Sequence, residues 1–240
     1  MISIRAYGDS LARGIGDVGT GNQVSGWPGR LAHSVQARAQ RNLAVAGARA
    51  VDVLNCQVSL DSDTDFDVAL LSVGGNDAID REFCLDGFAG HFEAVVAALL
   101  RHHRIVIALS VADHSQAWPL PRVIRERLHR RIAQVNTTIR TQKRRRVIVM
   151  EPWQQGQLNE MAFRHADRVH LSPRGYQRLA ELTAECLAIP LVAEPLPVAR
   201  PGTSAWYPEI PGMNDVRRAI HRIPALIHCA SRTVSEPAEA

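Results

Sequence analysis

The run Gly8-Asp9-Ser10-Leu11 follows directly on a short apolar opening segment, Ile2 to Tyr7. If that segment is a strand, Ser10 stands at its carboxyl end, the edge at which open α/β sheets place their ligands. A serine hydroxyl is a weak nucleophile at neutral pH. Attack on a carbonyl needs a base to take its proton, a group to orient that base, and donors for the oxyanion that forms. Candidates for each are present. Asp167 and His170 form an Asp-x-x-His pair, a spacing that lets the carboxylate reach the ring from the same loop. An imidazole ordinarily titrates near ~6.5, which suits a general base. Asn76 lies in Gly74-Gly-Asn-Asp77, where two glycines let the backbone bend and present an amide that donates without changing charge. Gly47 closes the run Asn42-Leu-Ala-Val-Ala-Gly47. Singly, these residues have plainer readings: Ser10 and Asn76 as helix caps, Gly47 as a turn glycine.

Together and in this order, the four blocks resemble the SGNH subgroup of the GDSL esterase/lipase family over roughly residues 3–190. No Gly-x-Ser-x-Gly elbow surrounds Ser10, so the α/β-hydrolase fold is not expected. The resemblance implies an α/β protein, a three-layer α/β/α sandwich with a five-stranded parallel sheet in the flavodoxin-like order 2-1-3-4-5. It implies Ser10 as nucleophile, His170 as base and Asp167 as its orienting group. The Ser10 and Gly47 backbone N–H groups and the Asn76 side chain would meet the oxyanion, with Asp9 and Asp77 as supporting residues. Neither cofactor nor metal is required. The implied function is hydrolysis of a small-molecule carboxylic ester; lipase, short-chain esterase, carbohydrate deacetylase and thioesterase activities all occur on such sites. Two other readings are an acyltransferase using the same acyl-enzyme and a catalytically idle binding module. After Gly47 the chain reads Ala48-Arg49-Ala50, which departs from the small or polar positions common in the family.

The elements that must hold these residues follow from periodicity. Phe66 to Val73 is almost continuously apolar, as a central parallel strand buried on both faces requires. Further strands are predicted at Arg41 to Val45, Arg104 to Val111 and Arg146 to Met150. Residues 11–26 lack a hydrophobic period and read as a long glycine-rich loop beside the site. Helices are predicted from Trp27 to Arg41, with Trp27 a packing or a substrate-stacking residue, from Val51, from Gly87 to His103, and over 122–142 with Ile124, Leu128, Ile132, Val135 and Ile139 on one face. In Ala112 to Pro121, Trp118-Pro-Leu-Pro121 is apolar enough to line an acyl pocket. Ser172 and Pro173 form an N-cap and first turn immediately after His170.

The chain divides into a catalytic domain over 1–190, a Pro-rich linker over 191–212, a short amphipathic helix over 213–230 and a disordered tail over 231–240. That helix can pack on the domain, dimerise or touch a membrane surface. Residues 52–93 carry ten acidic side chains against Arg81, and 122–146 ten basic ones against Glu126, so the molecule is electrically polar. No aromatic interleaving or nucleic-acid motif accompanies the basic helix, so no nucleic-acid partner is expected. No apolar run is long enough for a membrane span, and none resembling a signal peptide precedes Ser10, which points to a cytoplasmic protein. Cys56, Cys84, Cys186 and Cys229 lack any Cys-x-x-Cys spacing and are expected to be reduced and mostly buried.

Overall fold

The computed structural model describes residues 1–17, 26–59 and 66–196. The expected helix at 213–230, the tail at 231–240 and most of the linker lie outside these residues. Five parallel strands, β1 (Ser3–Gly8), β2 (Ala39–Asn42), β3 (Phe66–Ser72), β4 (His103–Leu109) and β5 (Val147–Met150), form one sheet in the order β2-β1-β3-β4-β5. The interior strands β3 and β4 read as largely apolar runs because both their faces are covered, whereas β1 also buries Ser3 and Arg5. Alternate residues supply the two cores: Val68, Leu70, Ile107 and Leu109 on one face, Ala69, Leu71, Val106 and Ala108 on the other.

Helices α2 (Gly26–Ser34) and α7 (Pro173–Leu187) cover the first face, where Trp27, Leu31, Tyr176 and Leu179 are fully buried. Trp27 is therefore a packing residue, and its indole N–H donates to Thr183 Oγ1 at 2.7 Å. Helices α5 (Leu85–His102) and α6 (Arg122–Thr141) cover the second face through Phe88, Phe92, Val95 and Val96 and through Leu128, Ile132, Val135 and Ile139. In α6 the three-and-four spacing of apolar residues fixes which side turns to the sheet, and most of the arginines are left outside.

Four expectations are corrected. Ser10 opens not a loop but a single helical turn, α1 (Ser10–Arg13), because the Asp9 carboxylate caps it by accepting the Leu11 N–H at 3.0 Å. The second helix stops at Ser34, well short of Arg41, and Gln36 beyond it takes a positive φ of 48°. Strand β2 is displaced towards the polar Ala39–Asn42, since an edge strand pairs by its backbone and needs no apolar run. Cys56, Cys84 and Cys186 are exposed rather than buried: the first two lie on the outer sides of short or starting helical turns and the third on the outer face of α7; Cys229 lies outside the described residues.

Candidate active site

Ser10 is placed by the end of the interior strand β1. Gly8 has φ 126°, and a β-carbon there would lie 1.8 Å from Ser72 O, so only glycine lets β1 run this close to β3 and then turn. The Gln57 side chain brackets the same residue: the Gly8 N–H donates to Gln57 Oε1 at 2.7 Å, and Gln57 Nε2 donates to Gly8 O at 2.8 Å. Gln57 belongs to a π-helical turn, Val53–Val58, that continues α3 (Ala50–Asp52). Nothing in its local sequence signals this role.

Asp167 and His170 lie in a hairpin-like loop. Arg164 bridges Leu171, the His165 N–H donates to His170 O at 3.0 Å, and the Arg168 N–H closes the turn on His165 O at 2.9 Å. Helix α7 anchors the loop's far end, where Ser172 Oγ accepts from the Gly175 N–H and Pro173 occupies the first turn. The loop also rests on the segment after Ser10: a β-carbon on Gly16, whose φ is 94°, would meet Leu171 O at 2.7 Å and the His165 ring at 3.2 Å.

The result is a continuous hydrogen-bonded chain. Ser10 Oγ lies 2.7 Å from His170 Nε2, and His170 Nδ1 lies 2.7 Å from Asp167 Oδ2. Burial would raise the Asp167 pKa, but hydrogen bonds from His165 and His170 outweigh it and hold the carboxyl well below the usual carboxylate range. An ionised carboxylate only accepts, so Nδ1 of His170 carries the hydrogen and Nε2 is left to accept from the serine. Such an arrangement can take the hydroxyl proton as the oxygen attacks an electrophile.

One cleft of ≈ 80 Å³ is lined by Ser10, Gly47, Asn76 and His170 together. Asn76 stands in the first turn of α4 (Gly75–Ile79), which Gly74 rather than Asn76 caps. One amide hydrogen of Asn76 is spent on Ala48 O at 3.1 Å, leaving the second for a ligand. Asp9 lies below Ser10, and burial raises its carboxyl to about 6 against hydrogen bonds from Leu11 and Ser72. Asp77 does not line the cleft; it lies behind, accepting the Ala50 N–H at 3.1 and 3.2 Å, and burial chiefly lifts its pKa to about 7. Trp118 lines the cleft, whereas Leu120 packs against the α5–α6 core.

The sequence reading missed three aromatic groups. His165 Nδ1 lies 3.1 Å from Asp167 Oδ2, so the carboxylate serves two imidazoles. His114 lines the cleft, and burial, reinforced by Arg164 and His170, pushes its pKa down to about 3, leaving a neutral ring beside the serine. Trp153 lines the cleft and is fixed by donating to Ser110 O at 2.7 Å. The His165-x-Asp167 spacing was visible, but the other two are set by tertiary placement alone. Among the described residues no group of three or more His, Cys, Asp or Glu is placed to hold a metal ion, and no helix is long and apolar enough to cross a membrane.

A parallel sheet in this order, with the serine at the end of β1 and the imidazole just before α7, is the architecture of the SGNH hydrolase type of α/β fold. The profile of the GDSL-like lipase/acylhydrolase family matches residues 6–178, and the chain belongs to that family. Membership supports an esterase or acylhydrolase in general terms. Among curated proteins no sequence matches the chain. Similar solved structures include a member of the lipolytic G-D-S-L family from Veillonella parvula, with 18% identity, TM-score 0.60 and coverage of 78% of this chain and 98% of that one. A lipase/acylhydrolase from Enterococcus faecalis has 19% identity, TM-score 0.55 and coverage of 78% and 95%. A salicylyl-acyltransferase, SsfX3, from a tetracycline biosynthetic pathway has 19% identity and TM-score 0.56; the match covers 78% of this chain and 54% of that one. At such identities the likeness shows the fold.

Proposed function

We propose that the protein is a serine esterase that cleaves carboxylic esters through an acyl-enzyme on Ser10. The observation that carries this reading is the unbroken chain from Ser10 Oγ through His170 to Asp167, with 2.7 Å at both links. His170 Nε2 takes the hydroxyl proton as Ser10 Oγ attacks the ester carbonyl, and Asp167 stabilises the imidazolium that forms. The tetrahedral oxyanion is met by the backbone N–H groups of Ser10 and Gly47 and by the free amide hydrogen of Asn76; all three residues line the same cleft. His170 then gives its proton to the departing alcohol. It next takes one from water, which releases the acid and restores the serine. The cleft at Ser10, ≈ 80 Å³, supports a short acyl group, being well below the ~300 Å³ of a pocket for a drug-sized ligand.

Acyl transfer to an alcohol other than water is the second reading, supported by the acyltransferase among the similar structures. Hydrolysis of p-nitrophenyl esters from acetate to palmitate, by the wild type and by Ser10→Ala, tests the proposal. Turnover greatest for the shortest chains and abolished in the variant is the expected result. Equal inertness of both proteins, together with failure of a fluorophosphonate to label Ser10, refutes it. A rise in total turnover with a second ester product when an acceptor alcohol is added selects the transferase.

A further inference from the structure

Beside the cleft at Ser10 opens a second cavity of ≈ 520 Å³, which shares the walls Ser110, Val111 and Trp153 with it. Gly47 and Asn76 line only the first; Arg164 and Arg168, from the loop that carries His170, line the second. The carboxylates in this cavity are already matched, Glu151 by Arg140 at 2.6 Å and Asp113 by His129 at 2.7 Å. Neither loop arginine forms a salt bridge among the described residues. Arg164 lies over the Trp153 ring at 5.3 Å and donates to neutral acceptors, Asn159 Oδ1 at 2.8 Å and Val169 O at 3.2 Å. Its partial burial pulls its pKa below the ordinary value, against the opposing charge of Asp167. The Arg168 side chain has no hydrogen bond or ion pair among the described residues.

The backbone of Arg168 adds an independent observation. It takes φ 62°, the left-handed conformation that the tight turn requires. Glycine adopts it freely, whereas a residue with a β-carbon does so at a cost. Of the three described non-glycine residues in this conformation, Gln36, Arg168 and Ala188, only Arg168 lines the second cavity, a place where such strain accompanies function.

We infer that the second cavity is the subsite for the alcohol half of the ester, and that Arg164 and Arg168 select alcohols bearing an anionic group, a carboxylate or a phosphate. The inference rests on the esterase reading for its orientation. The leaving oxygen must sit at His170 Nε2 to receive its proton, while the carbonyl oxygen points to Gly47 and Asn76. The departing half is thereby directed to the His170 side, where this cavity lies.

A matched pair of chromogenic esters tests it: 4-nitrophenyl acetate and 3-carboxy-4-nitrophenyl acetate, which differ by one carboxylate on the leaving phenol. After correction for spontaneous hydrolysis, the wild type should prefer the charged ester by about tenfold in kcat/KM, the lower end for a charge-assisted hydrogen bond. Added salt and Arg168→Ala should each lower that ratio, Arg168→Lys should retain part of it, and Arg168→Gly should lower it while raising the thermal midpoint. Cleavage of both esters at a ratio near one, unmoved by these variants, overturns the inference and leaves the esterase reading standing. If neither ester is cleaved, the esterase reading has failed, and calorimetric titration with the phenol 5-hydroxy-2-nitrobenzoate decides about the anion site. Saturable binding weakened by Arg168→Ala upholds the site, and no binding to the wild type rejects it.

Discussion

Asp77 makes folding stability depend on pH in a way that a single substitution should abolish. Its carboxyl is raised to about 7, chiefly by burial and further by the nearby Asp9 charge, while the Ala50 N–H and Arg49 pull the other way. In the unfolded chain an aspartate titrates near ~3.9. The folded state thus holds the proton more tightly. The stabilisation this gives is complete below the unfolded pKa and is lost as the pH rises through about 7. A difference of about three pH units is on the order of 4 kcal/mol at full deprotonation. Asn at this position cannot ionise, yet its carbonyl oxygen still accepts from the Ala50 N–H. Asp77→Asn should therefore match the wild type within about 1 kcal/mol near pH 4 and exceed it by on the order of 4 kcal/mol near pH 8.5. Urea unfolding of both proteins across that range measures the difference directly. Asp9, raised to about 6, titrates in both proteins and largely cancels in the comparison. A stability difference that does not change with pH would refute the reasoning, because it would mean that Asp77 titrates alike in the folded and unfolded states.

Two further outcomes follow from the site. Asn76→Ala removes the proposed oxyanion donor and should lower kcat on p-nitrophenyl acetate by about 10²–10³-fold with KM little changed; an equal loss in binding of a ground-state ester analogue would contradict that assignment. Gly16→Ala forces a β-carbon towards Leu171 O and the His165 ring from a backbone that disfavours it. It should cost about 1–3 kcal/mol in thermal unfolding and lower kcat by displacing the His170 loop, and an unchanged kcat would show that the loop is held independently of Gly16.

Much of this was legible in the sequence for identifiable reasons. Phe66–Ser72 is apolar on both faces because helices cover both, and its run is longer than that of the apolar edge strand β5. Helix α6 announced itself by its apolar spacing, and α7 by Ser172 and Pro173. The serine, histidine and aspartate were visible because their spacings are short or their blocks distinctive. What escaped depends on contacts that no local pattern records. The turn at Ser10 is helical because Asp9 caps it, which alters a span read only for hydrophobic period. Gln57 lies at the site because a π-helical turn shifts its face, and His114 and Trp153 reach the cleft from loops after β4 and β5. The exposed cysteines show the same limit from the other side: residue type gives a tendency to burial, and position on the helix decides it.

The order in which the chain emerges during synthesis gives the topology one more meaning. Ser10 and His170, which share a hydrogen bond, stand 160 residues apart in the chain, and the loop bearing His170 is anchored by α7, which packs on α2. Domains are made from the amino terminus, so Ser10 exists long before any imidazole can activate it. On the proposed roles, a nascent or truncated chain ending before His170 carries an ordinary, unreactive hydroxyl. On the proposed roles, reactivity is conferred when the His170 loop docks beside the end of β1, which would confine the chemistry to molecules whose domain has closed.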